Sequence, residues 1–180
     1  MRKEMTGMRY VALFVLGFCL GMWAAPAHAL KQDVNSEAFC LAQNIYFEAG
    51  NQPLAGKIGV ALVTMNRVNS EQFPKTICEV VYETKEYRTS WKTGEQIPRR
   101  GMCQFSWYCD GKSDEPKDSK TWIASVQLAN QILVGEKYDI TISSFDITEG
   151  ALWYHADYIY PYWAQHLNET VHINAHIFYK

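Results

Sequence analysis

The chain has 180 residues, 48% hydrophobic and 20% charged. This is the balance of one folding globular domain, not of a disordered segment or a multidomain array. Lys plus Arg number 17 against 19 Asp plus Glu, a formal net charge of −2. That excludes the basic excess of a bulk nucleic-acid binder, and no nucleic-acid partner is expected.

Arg2, Lys3 and Arg9 precede or open an apolar run, Val11 to Ala25, and Ala27-His28-Ala29 forms an A-x-A site. The pattern predicts a signal peptide over 1–29, cleaved after Ala29, with 30–180 as an exported domain, periplasmic or secreted. The run is about 15 residues, short of the roughly 20 that a membrane span needs, and no later segment approaches one. Bulky Phe18 before Cys19 argues against a lipoprotein signal. Four cysteines remain: Cys40, Cys78, Cys103 and Cys109. An even count in an exported chain predicts two disulfides, and three connectivities are open. Cys103–Cys109 would close a small loop around a short aromatic segment, and Cys40–Cys78 would tie two helical regions together. The spacings do not match a paired CxxC zinc pattern, so neither metal nor cofactor is expected.

Ser36 or Asn35 can cap a helix to Ala49, with Ala38, Leu41, Ala42, Ile45 and Ala49 as its apolar stripe. Gly50-Asn51 ends it and Pro53 opens a second, nearly all-apolar helix to Val68, in which Gly56 and Gly59 let another element approach closely. A short helix is predicted over 76–82, and a long polar connection over 83–102. Gln104–Cys109 reads as a strand and Asp110–Asp118 as a charged turn. Asp118 or Ser119 caps a third helix carrying Trp122, Ile123, Val126, Ala129, Ile132 and Leu133 on one face and stopping at Gly135. An aromatic stretch, Tyr154–Trp163, precedes a last strand read from the alternation of Val171, Ile173, Ala175 and Ile177. The sum is an α+β, mostly helical domain.

Glu48 lies on the same helical face as Leu41 and Ile45. A carboxyl there loses hydration, and it also meets the negative end of the helix dipole; both keep its proton on. A protonated carboxyl in an apolar wall is what glycosidic cleavage asks of a general acid. Candidates for a second carboxylate are Asp110, Asp146 and Asp157, and nothing in the sequence places one opposite Glu48. A one-carboxylate mechanism, in which a substrate hydroxyl replaces the nucleophile, stands beside the two-carboxylate one. Trp107, Tyr108, Trp153, Tyr154, Tyr158, Tyr160, Tyr162 and Trp163 supply rings suited to sugar faces. His155, His166, His172 and His176 cluster late in the chain without an HExxH pattern, and no phosphate loop or GxSxG elbow occurs.

Taken in order, CLAQNIYFEAGNQPLAGKIGVALVTMNRV (40–68), FPKTICEVVY (73–82), CQFSWYCDGK (103–112), GALWYHADYIYPYW (150–163) and INAHIFYK (173–180) resemble the SleB-type cell wall hydrolase, or spore cortex-lytic enzyme, catalytic domain. The resemblance implies a single lysozyme-like domain, similar to goose-type lysozyme and lytic transglycosylases. It implies action on peptidoglycan glycan strands between N-acetylmuramic acid and N-acetylglucosamine, ending in a 1,6-anhydro sugar. The family's catalytic glutamate falls on Glu48, within Tyr46-Phe47-Glu48-Ala49. Gln104, Ser106, Tyr154 and His155 are the expected substrate hydrogen-bond partners and Trp107 the ring contact. Asp146-Ile147-Thr148-Glu149-Gly150-Ala151 departs from the family's usual D-P-T-x-G-A. The expected protein is a monomeric muralytic enzyme. An N-acetylmuramoyl-L-alanine amidase and a non-catalytic peptidoglycan-binding module are the alternatives.

Overall fold

A computed structural model describes residues 36–137 and 145–180 of the chain. The signal peptide expected over 1–29 lies outside the described residues.

Helix α1 (Glu37–Ala49) starts where Ser36 accepts a hydrogen bond from the Phe39 amide, satisfying one of the orphan donors of the first turn. Helix α2 (Leu54–Asn69) follows Pro53, and α3 (Ile77–Val81) is capped by the Thr76 hydroxyl on the Glu79 amide. Helix α4 (Ser119–Lys137) is capped by Asp118, whose carboxylate accepts from the Thr121 amide. It runs through Gly135, which was expected to stop it. An interior glycine costs only about 1 kcal/mol relative to alanine, too little to end a helix docked along α1. Ile123, assigned to its buried face, is 56% exposed.

The core gathers on α1, which packs against α2, α3 and α4. Leu41, Ile45, Ala61, Val80, Val81 and Ala129 are sealed within it, and Phe105 and Trp107 close it from the following segment. Disulfide Cys40–Cys78 ties α1 to α3, and Cys103–Cys109 closes the short loop, both as favoured from the sequence.

That second bridge explains why Gln104–Cys109 is not a strand. Six extended steps would carry the chain about 20 Å, whereas the two Cα atoms lie 6.1 Å apart. The segment instead coils into a 3₁₀ turn, Ser106–Cys109. The polar connection before it also holds structure, a hairpin of β1 (Tyr87–Thr89) and β2 (Gln96–Pro98).

The C-terminal part forms a three-stranded antiparallel sheet in the order β3 (Trp153–Ala156), β5 (His176–Tyr179), β4 (Glu169–Ile173). The expected single last strand is thus two. Asn174, at φ 54°, takes the left-handed conformation that Asn tolerates, and reverses the chain between Ile173 and His176. The reversal resets the alternation, so His176 and Phe178, not Ile177, are buried. Phe178 seats on Gly59 of α2: a Cβ there would come within 2.7 Å of the ring. The glycine read as a point of close approach is the place where sheet meets helix. All described residues belong to one compact unit, Gln32–Lys180.

Candidate active site

Glu48 lies in the last turn of α1, beside an open cleft. Two adjoining hollows, about 510 and 380 Å³, share Glu48, Ala156, Tyr158 and His176. The larger is completed by Tyr46, Phe47 and Gln52 among others, and the smaller by Arg67, Gln104, Ser106, Tyr154 and Trp163 among others. Among the described residues, Glu48 is the one carboxylate lining either hollow.

The Tyr154 hydroxyl donates to Glu48 Oε2 at 3.0 Å. Burial pushes the Glu48 pKa up, while that hydrogen bond and the charge of Arg67 pull the other way without cancelling it. Tyr154 is itself held neutral, well above the usual phenol range, first by burial and then by the Glu48 charge. Arg67 is buried at 4% exposure. Its Nε donates to the Leu152 carbonyl at 2.8 Å, and its guanidinium lies over Phe73 and Phe105 at 5.1 and 5.0 Å. Its Nη1 has no partner.

The structure brings Gln104, Ser106, Tyr154 and His155 to the smaller hollow with Glu48. Gln104 and Ser106 are exposed there, with Gln104 donating to Glu83 at 3.1 Å. His155 differs from its expected role. One ring nitrogen meets the Ala156 carbonyl at 2.9 Å and the other the Tyr179 hydroxyl at 3.0 Å, so both are committed to the protein. Trp107 is not brought to the cleft. Its indole is buried, stacked on Phe47 at 4.7 Å, and donates to Asn44 at 3.1 Å. It supports the wall from behind.

The second-carboxylate candidates lie outside the cleft lining. Asp146 is half-buried and accepts from Asn66, from the Thr148 amide and hydroxyl, and from the Gly150 amide at 2.6–2.9 Å. Burial raises its pKa, but those bonds outweigh it and hold the carboxylate below its ordinary range. Asp110 pairs with Lys112, and Asp157 stands 3.9 Å from His172.

Two site residues escaped the sequence reading. Arg67 is a cation in the last turn of a largely apolar helix, where Lys57 is the other charge. His176 was seen only as one of several histidines. It is 6% exposed, borders both hollows, and its Nδ1 is buried without a partner. No group of three or more His, Cys, Asp or Glu side chains among the described residues is placed to hold a metal ion, and no helix of the described residues is long and apolar enough to cross a membrane.

The fold is similar to that of the catalytic domain of Bacillus cereus SleB, at 24% identity over 80% of this chain and 89% of that one, with a TM-score of 0.53. It is also similar to the catalytic domain of the germination-specific lytic transglycosylase SleB from Bacillus anthracis, at 24% identity over 83% and 98%, with a TM-score of 0.55. The expected α+β, mostly helical, lysozyme-like class is therefore met. In sequence, the chain is 37% identical over 68 residues to the spore cortex-lytic enzyme of Bacillus subtilis, covering 32% of this chain and 22% of that protein. The Halalkalibacterium halodurans spore cortex-lytic enzyme is 42% identical over 43 residues, 13% of its length. The chain thus spans less than a quarter of these relatives. A match to the cell wall hydrolase family over residues 51–179 takes in α2, α4, the disulfide-closed loop and the sheet that frames Glu48; the chain belongs to that family.

Proposed function

We propose that the chain degrades peptidoglycan by cleaving the glycan strand between N-acetylmuramic acid and N-acetylglucosamine, as a lytic transglycosylase with Glu48 as its single acid and base. The observation that carries this reading is the solitary, half-buried Glu48 on the cleft, whose pKa burial pushes up.

In this mechanism the Glu48 carboxylic acid gives its proton to the glycosidic oxygen. The bond from that oxygen to muramic C1 breaks, and its electron pair leaves with the N-acetylglucosamine O4. The Glu48 carboxylate then takes the proton of the muramic C6 hydroxyl as that oxygen bonds to C1, which closes the 1,6-anhydro ring and regenerates the acid. No second carboxylate is required. Gln104 and Ser106 offer hydrogen bonds from one wall. From the other, exposed Tyr158 offers a ring face. His176 borders both hollows. Burial holds its pKa below the ordinary histidine range, against the pull of Asp157, so the ring is neutral at pH 7.

The test is mass spectrometry of the soluble products from purified peptidoglycan. Anhydro-muropeptides are expected. Reducing-end muropeptides would replace the transglycosylase with a hydrolase, free peptides without glycan cleavage would replace it with an amidase, and no release would leave a binding module.

The pH profile gives a separate check. The Tyr154 hydroxyl stabilises the Glu48 carboxylate, so Tyr154→Phe raises the Glu48 pKa further. Activity is lost as pH rises and the acid form disappears. That alkaline limb is therefore expected at higher pH in Tyr154→Phe than in the parent. A limb that stays put or moves down contradicts the assignment.

A further inference from the structure

Behind the disulfide-closed loop, away from its cleft-lining residues Gln104 and Ser106, lies a second concavity of about 460 Å³. Arg88 of β1, Ile97 and Pro98 of β2, Arg100, Tyr108 and Lys112 line it, with Asp110 as its carboxylate. Lys112 is occupied by Asp110 at 3.0 Å. Arg88 and Arg100 are exposed, and neither guanidinium has a hydrogen bond or ion pair among the described residues, although Arg100 feels the Asp110 charge. The Tyr108 hydroxyl, half-buried on the wall, also lacks a partner and is kept protonated first by burial and then by Tyr87 and Asp114. Three cations against one carboxylate give this hollow a positive balance in a chain whose net charge is −2.

We propose that this hollow binds a carboxylate group of the peptide stem carried by the glycan strand, held by the forks of Arg88 and Arg100 with the Tyr108 hydroxyl as a further donor. A planar guanidinium matches a carboxylate through two parallel bonds, which gives selectivity as well as attraction. Ile97, Pro98 and the Tyr108 ring supply an apolar floor for the aliphatic part of a stem residue. The geometry couples the two sites through one element. Gln104 and Ser106 face the cleft, Tyr108 and Cys109 face the hollow, and the bridge holds Cys103 and Cys109 at a Cα separation of 6.1 Å. The stem proposal rests on the reading of the cleft as a glycan site.

The test uses the whole chain carrying Glu48→Gln, so that strands stay intact during titration. Affinity is measured for strands bearing peptide stems and for the same strands stripped of peptide. About tenfold tighter binding to the stem-bearing strands is expected. Adding Arg88→Ala and Arg100→Ala should abolish the preference and leave binding to stripped strands unchanged. A preference that survives both substitutions, or an equal loss on both strands, overturns the proposal. Stem-bearing strands freed of phosphate polymers must still show the preference; its disappearance there would assign the hollow to phosphate instead. Titration of the free stem peptide, followed through the Arg88 and Arg100 Nε–H signals, reads the hollow without the cleft. Shifts there support it even if no strand binds, in which case the glycan reading alone fails. Silent arginines overturn it.

Discussion

Glu48→Gln is expected to give a folded protein that binds glycan and releases almost no soluble product, with turnover reduced about 10²–10⁴-fold, the usual contribution of a positioned general acid. Glutamine keeps the shape of the side chain and still meets Tyr154, but has no proton to give the glycosidic oxygen. The same substitution should make the protein more stable at neutral pH. The Glu48 carboxyl has a pKa raised in the folded state above the 4.5 of an ordinary glutamate. The native state therefore holds a proton that the unfolded chain releases, and folding grows less favourable as pH rises from that value toward the folded one. Glutamine carries no such penalty. Its advantage should be absent in acid and grow with pH, which thermal melting at several pH values measures. Lysis retained by a folded Glu48→Gln protein would remove Glu48 from the mechanism. Lysis lost together with the fold would be shown by the same melting curves.

Loss of the Cys40–Cys78 bridge should be the largest destabilisation reachable without touching the cleft. The bridge spans 38 positions, and the chain entropy released on opening a loop of that length corresponds to about 4 kcal/mol. Cys40 is fully buried against α2 and α3, so a Cys40→Ala, Cys78→Ala variant also loses packing. The Cys103–Cys109 bridge closes a loop of only 6 positions, worth about 2 kcal/mol by the same reasoning. The expected order in urea unfolding is parent, then the variant lacking Cys103–Cys109, then the variant lacking Cys40–Cys78. The activity order should differ, because the shorter bridge shapes the wall that presents Gln104 and Ser106. If the two variants unfold at the same urea concentration, loop length is not what the long bridge contributes.

What could be read from the chain alone followed the range of the interactions. Helix α1 is written locally, in its Ser36 cap and its three-four stripe, and the same stripe puts Glu48 at the cleft. Helix α2 is legible for the same reason, down to the glycine on which Phe178 sits. Local pattern failed where distant contacts decide. The 104–109 run has strand composition, but a covalent bridge forbids extension. Trp107 carries the ring chemistry of a sugar platform, yet its indole is claimed by Asn44, 63 positions earlier. His155 and His176 are indistinguishable by residue type. Only the β3–β5 register shows that one has both nitrogens satisfied while the other borders the cleft with one unpaired.

The partner that tunes Glu48 is 106 positions away, and the strand that closes the cleft is later still. The carboxyl is therefore made long before the Tyr154 hydroxyl that donates to it. Tyr154 takes its place through the pairing of β3 with β5, where its ring meets Phe178 at 5.6 Å and Phe178 in turn seats on Gly59. Such distant pairing is the slow part of folding. The surroundings that tune Glu48 are therefore expected to be completed late in folding, when the C-terminal sheet docks on α2.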